Sequence, residues 1–175
     1  MRRVPLFSLF LLAIALGGCG GKGSSARIDY PMGERVTVGP LTYNVVETVW
    51  RSQLGDLLKI RVPEQRFLLI TISVTNGGGR DISVPLLTLE NQNGQSFRES
   101  DDGESVDHWF GLLRTLSPAE TKQGRILFDV GLTSYRLRLT DGGDSGAEKY
   151  AWVEIPLRID TDSGVTVPAP VSLGK

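Results

Sequence analysis

One cysteine, one histidine and no apolar run long enough to cross a bilayer: each scarcity in this 175-residue chain removes a class of function. A lone cysteine cannot close an intramolecular disulfide, and with a single histidine it cannot supply the four nitrogen and sulfur ligands of a structural zinc site. Basic excess is also missing. The 19 Lys and Arg are scattered and outnumbered by 20 Asp and Glu, so no phosphate-tracking surface for nucleic acid is expected. The longest apolar stretch, Val4 to Leu16, is broken by Pro5 and Ser8 and falls short of the roughly 20 residues a membrane span needs. A serine-histidine-acid triad would have to use His108, beside Asp107 and Trp109, and no Gly-x-Ser-x-Gly elbow exists to present its serine.

Arg2 and Arg3 ahead of the apolar stretch, with small residues closing it, form a signal peptide over residues 1–18. Its end, Leu16-Gly17-Gly18-Cys19, departs from the A-x-A pattern of soluble secreted precursors and resembles the lipobox of bacterial lipoproteins. That resemblance implies cleavage before Cys19 and acylation of its sulfur. Two acyl chains anchor a protein stably where one holds it only marginally, so attachment to a membrane through lipid is expected. Val4-Pro5 after the arginines matches a twin-arginine signal poorly. Gly20, rather than aspartate, follows Cys19 and resembles an outer-membrane sorting signal. The expected location is the bacterial cell envelope, on the outer membrane facing the periplasm in a Gram-negative cell and on the outer face of the cell membrane otherwise. Losing Arg2 and Arg3 with the leader leaves 17 basic side chains against 20 acidic ones, a mature charge of about −3.

Residues 19–34 read as the lipidated cysteine and a Gly/Ser-rich tether, residues 35–157 as one folded domain and residues 158–175 as a polar, Pro-rich tail. A mature chain of about 150 residues can bury about 70% of its unfolded surface, enough for a core without staples. Between Arg35 and Leu157 the pattern is short β-branched and aromatic runs punctuated by Gly, Asn, Asp and Pro. Val36–Gly39 pairs with Leu41–Trp50 across Gly39-Pro40. In Phe67–Asn76, Leu68, Ile70, Ile72 and Val74 alternate with Thr71, Ser73 and Thr75, the period of a half-buried strand. Asp81 to Leu89 begins the next strand, and Asn93-Gly94 predicts a tight hairpin turn between Leu89 and Phe97. Thr121–Val130, Ser134–Thr140 and Tyr150–Leu157 are three further strands. The predicted fold is an all-β, immunoglobulin-like antiparallel β-sandwich of about 7–8 strands. One short amphipathic helix is predicted over Ser105–Leu113, from Val106, Trp109, Phe110 and Leu113 at helical spacing.

Three segments together resemble the telokin-like, immunoglobulin-like domain of unknown function carried by many bacterial lipoproteins and secreted proteins. They are Val38-Gly39-Pro40-Leu41-Thr42-Tyr43-Asn44-Val45, the strand Phe67–Asn76 with the hairpin Leu87–Gly94 after it, and Leu116-Ser117-Pro118-Ala119-Glu120 leading into Phe128-Asp129-Val130. The resemblance implies a sandwich without an inter-sheet disulfide and carries no catalytic residues. Ala119 stands where that family usually has glycine.

Chemistry is sparse on this scaffold. Asp101, Asp102, Glu104 and Asp107 offer oxygen ligands of the kind calcium takes, without EF-hand spacing, and a solvated loop is the expected account, with no metal and no cofactor. Asp141, Asp144 and Glu148 repeat the idea more weakly. Trp109, Phe110 and Leu113 are the candidate partner contact, against the alternative that they plug the end of the sandwich. The function expected is a non-catalytic interaction or accessory module on an envelope lipoprotein, with an envelope protein as partner. A calcium- or small-ligand-binding domain using residues 99–107 is the second reading, and an envelope hydrolase the remote third.

Overall fold

The fold is given by a computed structural model that describes residues 29–56, 58–143 and 148–158. Thirteen strands make up its regular structure: β1 (Asp29–Tyr30), β2 (Arg35–Val38), β3 (Leu41–Arg51), β4 (Leu54–Gly55), β5 (Ile60–Arg61), β6 (Phe67–Asn76), β7 (Ile82–Ser83), β8 (Thr88–Asn91), β9 (Ser96–Arg98), β10 (Thr115–Leu116), β11 (Thr121–Asp129), β12 (Tyr135–Thr140) and β13 (Tyr150–Ile155). A four-stranded sheet, ordered β11-β6-β3-β2, packs on a five-stranded sheet, ordered β1-β13-β12-β8-β9. β7 and β10 form one small ribbon, and β4 and β5 another. The fold is an all-β sandwich.

Period-two alternation builds the space between the sheets. Leu68, Ile70, Ile72 and Val74 of β6 are all fully buried and meet Leu137 and Leu139 of β12, Val153 and Ile155 of β13 and Leu89 of β8 in one cluster. β3 keeps Leu41, Tyr43 and Val45 in that core until a bulge between Val45 and Glu47 inserts an extra residue. The bulge reverses the parity, so Trp50 rather than Val49 packs toward the main core. Phe67 and Leu69, on the opposite face of β6, join Leu54, Val106 and Leu127 in a second, smaller cluster, so the start of β6 is buried on both faces.

Two expectations are corrected. Among the described residues there is no helix: Ser105–Leu113 is a chain of turns and bends, broken by a left-handed backbone at His108 (φ 56°) and Gly111 (φ 83°). The sandwich is also not wholly antiparallel, because β1, in the stretch read as tether, lies parallel to β13 with Asp29 opposite Trp152. The ordered domain therefore begins before Arg35.

Turn chemistry accounts for two further details. Gln92-Asn93-Gly94 forms a three-residue loop in which the Gly94 N–H donates to the Asn91 carbonyl (3.1 Å) and Gly94 alone adopts positive φ, 77°. This is a type I turn with a bulge, in place of a two-residue turn with both central residues left-handed. The loop after β10 is a type II turn, with Pro118 second, Ala119 third at φ 63° and the Glu120 N–H donating to the Ser117 carbonyl (3.0 Å). A left-handed alanine is strained, so Ala119→Gly is expected to stabilise the domain by about 0.5–1 kcal/mol after the entropy of the added glycine is allowed for. Thermal melts would show a midpoint raised by about 2–5 °C. An unchanged or lowered midpoint would mean that the methyl group packs productively.

Candidate functional site

Arg136 and Arg138 of β12 point away from the core, and the strand register sets them among a particular group of neighbours. Arg136 lies between Glu90 of β8 and Glu154 of β13, and Arg138 between Thr88 and Trp152. The Arg136 guanidinium bonds the Glu90 carboxylate (2.6 Å), reaches Asp29 (3.5 Å) and sits 5.7 Å from the centre of the Trp152 ring. Arg138 pairs with Glu148 (2.9 Å) and lies 4.7 Å from the centre of the Tyr150 ring, while Glu148 also accepts the Thr140 hydroxyl. Tyr150 and Trp152 meet edge to face at 6.4 Å. The result is a ladder of arginine, aromatic and carboxylate groups on the outer face of the five-stranded sheet. Both arginines are already held in place, so less side-chain entropy is lost when something binds over them. Tyr150, 57% exposed, is the accessible rung.

Beside this ladder lies a groove of about 470 Å³, lined by Asp29, Glu90, Gln92, Ser134, Arg136 and Glu154. A hydrogen bond from the Gln92 amide to the Ser134 hydroxyl (2.9 Å) closes one wall. Among the described lining residues three carboxylates, two of them paired with Arg136, face one guanidinium, an anionic excess on that wall.

The sequence-predicted contact does not form one surface. Phe110 is fully buried in the main core, Trp109 is half-buried beside the second cluster and Leu113 is 94% exposed. Trp109 pairs in parallel with Arg125 at the open edge of β11, where the Phe110 N–H donates to the Arg125 carbonyl and the Arg125 N–H to the His108 carbonyl, both at 2.8 Å. Gly124 permits this approach, since a Cβ there would stand 2.9 Å from the Phe110 Cα. Only Leu113 of the three remains as an exposed apolar contact. Cys19, the predicted lipidation site, lies outside the described residues.

The acidic run divides. Glu99, its first member, is buried with Arg114, and neither side chain is exposed. The Arg114 guanidinium meets both Glu99 carboxylate oxygens, the Leu87 N–H donates to the same carboxylate (3.1 Å) and the Arg114 Nε–H bonds the Gly111 carbonyl. Hydropathy alone hid this pair, although Arg114 inside Leu112-Leu113-Arg114-Thr115-Leu116 was its signal. Asp101 and Asp102 are exposed, with Asp102 3.3 Å from Arg61. Glu104 and Asp107 border a second groove of about 520 Å³, interleaved with Arg51 and Arg125. Among the described residues no three acidic, histidine or cysteine side chains converge as metal ligands. Asp141 accepts the Gly143 and Lys149 N–H groups as a turn would, and Asp144 lies outside the described residues.

His108 is exposed, and its backbone carbonyl rather than its imidazole is engaged with Arg125. Among the described residues Tyr43 is clearly perturbed. Its phenol donates to the Thr140 carbonyl (2.6 Å) inside the core, and burial pushes its pKa well above the usual tyrosine range, with Asp141 pushing the same way and Arg114 opposing. Because the native state keeps this proton after the unfolded chain releases it near pH 10, stability falls as pH rises above about 10, by up to about 1.4 kcal/mol per pH unit. Urea denaturation across that range is expected to show a shallower alkaline decline for Tyr43→Phe. An equally steep decline would assign the loss to other groups.

A model for a domain of unknown function, DUF4352, matches residues 30–149, from β1 up to the start of β13. The chain belongs to this family. No curated protein matches it. Among solved structures, the family sandwich is similar to the yjhA protein from Bacillus subtilis, with 18% identity, a TM-score of 0.56 and coverage of 72% of this chain and 98% of that one. A functionally unknown protein from Listeria monocytogenes EGD-e aligns over 71% of this chain and 82% of its own, with 10% identity and a TM-score of 0.54. The "putative lipoprotein" ycdA from Bacillus subtilis subsp. subtilis aligns over 72% of this chain at 16% identity and a TM-score of 0.55, but over only 39% of its own length. At these identities the likeness is one of fold.

Proposed function

We propose that this chain is a bacterial envelope lipoprotein, anchored through Cys19, whose non-catalytic sandwich binds a protein partner over the outer face of the five-stranded sheet. The leader closing at Leu16-Gly17-Gly18-Cys19 supports the anchor, and one solved protein of similar fold carries the description "putative lipoprotein". The observation that carries the binding surface is the exposed Tyr150 beside Arg138 and Arg136, residue types that dominate binding energy at protein interfaces, laid over the buried Trp152 and set beside a groove. The anionic groove suits a partner segment that offers a basic side chain.

Photo-crosslinking in envelope fractions from a probe at Tyr150 tests this reading. A saturable product is expected with the anchored chain and is expected to weaken when Arg138→Ala removes a rung. Cys19→Ala is expected to leave the membrane fraction with its melting temperature unchanged. Saturable products from a probe at Leu58, on the far hairpin, with none from position 150, would overturn the choice of surface. Membrane retention of Cys19→Ala would overturn the anchor.

A further inference from the structure

The chain contains two Asn-Gly pairs, Asn76-Gly77 and Asn93-Gly94, which share the same local chemistry in different surroundings. An asparagine followed by glycine is the arrangement in which the next backbone nitrogen reaches the side-chain carbonyl carbon most easily, because glycine has no Cβ in the way. We propose that Asn93 is a self-modification site, at which the Gly94 backbone nitrogen displaces the side-chain ammonia and leaves aspartate and isoaspartate on the hairpin that walls the anionic groove.

The two environments are opposites. Asn76 is fully buried; its amide donates to the Arg80 (2.8 Å) and Leu116 (2.9 Å) carbonyls and its Oδ1 accepts the Gly78 N–H (2.8 Å). The nucleophile there is held too, since the Gly77 N–H donates to the Pro40 carbonyl at 2.8 Å. Asn93 is exposed at a hairpin tip, and its side-chain amide has no hydrogen-bond partner among the described residues. Space around Gly94 is open, with no atom within 4 Å of where a Cβ would stand. The Gly94 N–H donates to the Asn91 carbonyl (3.1 Å) and the Asn91 Oδ1 accepts the flanking Asn93 (2.9 Å) and Gln95 (3.0 Å) N–H groups, so attack needs a local opening of this exposed loop tip, which costs less than opening the buried turn at Asn76.

The chemistry balances without a cofactor. Hydroxide removes the Gly94 amide proton, the nitrogen attacks Cγ of Asn93, and the Cγ–Nδ2 bond breaks as ammonia leaves with a proton taken from water. Water then opens the five-membered imide at either carbonyl, giving aspartate or isoaspartate. Either product adds a negative charge next to Gln92 on the groove wall. Isoaspartate also adds one methylene to the backbone. The Asn91 N–H to Gln95 carbonyl bond (3.0 Å) and the Gly94 bond then no longer span the same loop.

The test incubates the purified full chain in mildly alkaline buffer and follows, by peptide mass, amide-to-acid conversion in the peptides holding Asn93 and Asn76. A urea-unfolded sample is run alongside, and an isoaspartate methyltransferase confirms the linkage. In the folded chain Asn93 is expected to convert at least about 30-fold faster than Asn76, equivalent to about 2 kcal/mol at 1.4 kcal/mol per tenfold. In urea the two rates are expected to converge, and Asn93→Ser is expected to remove the fast phase. A folded chain in which Asn93 converts no faster than Asn76, or a fast phase that survives Asn93→Ser, would overturn the proposal.

Discussion

Replacing Arg114 by methionine is expected to destabilise the domain by about 3–5 kcal/mol, because it leaves the Glu99 carboxylate buried without its counter-charge. The Glu99 side chain has no exposure, and among the described residues the one other donor it meets is the Leu87 N–H. The loss should be accompanied by a change in tryptophan fluorescence. Glu99 and Arg114 bracket the segment that lays Trp109 along the edge of β11, and with the bracket broken that segment relies on its backbone bonds to Arg125 and Leu127 and the packing of Val106 and Phe110. Pairing Arg114→Met with Glu99→Leu is expected to recover most of the stability, since an ion pair replaced by apolar groups of similar volume is often neutral or better. Urea denaturation of the two single variants and the double variant gives the coupling directly. A single-variant loss below about 1 kcal/mol would mean that the loop opens and hydrates Glu99, in which case the pair does not fix it.

Asn76→Asp is expected to cost about 3 kcal/mol or more, because one atom exchange converts two donated hydrogen bonds into two repulsions. The Nδ2 group of Asn76 donates to the Arg80 and Leu116 carbonyls from a fully buried position, so a carboxylate there would set charged oxygen against carbonyl oxygen. The backbone adds to the dependence. The Asn76 N–H donates to the Glu120 carbonyl and its own carbonyl accepts the Ala119 N–H, both at 2.9 Å. Asn76 thus ties the end of β6 to the type II turn and to β10, and its loss should be felt at both. A midpoint shift worth less than about 1 kcal/mol in urea would show that the aspartate is accommodated in its neutral form or by rearrangement of the turn. Amide exchange at Gly78 and Ala119 would report the same loss locally.

Local patterns carried much of the fold. Leu68, Ile70, Ile72 and Val74 declared a buried strand face by their spacing, and β6 runs from Phe67 to Asn76 as that alternation requires. Glycine and proline punctuation placed β2, β3, β11, β12 and β13 to within a residue or two. The pattern misled at Ser105–Leu113. Its apolar spacing suits a helix, but Val106 and Phe110 belong to different cores on two faces of the β11 edge, and an element that serves both cannot keep a single amphipathic stripe. β1 was illegible for a related reason: two residues have no periodicity, and their strand character comes wholly from β13.

The sequence by itself determined the all-β character of this domain, because period-two alternation is a local property that needs no partner to be expressed. The proposal of an exported, lipidated chain likewise rests on a signal read along the sequence, Leu16-Gly17-Gly18-Cys19. Only the tertiary structure decided which charges are buried and which are displayed. Glu99 looks like its acidic neighbours until Arg114, 15 residues away, closes on it, and Arg136 becomes part of a ladder because β8, β13 and β1 bring Glu90, Trp152 and Asp29 alongside. Strand pairing joins residues far apart in sequence, and the electrostatic character of a side chain depends on those distant neighbours and on its burial.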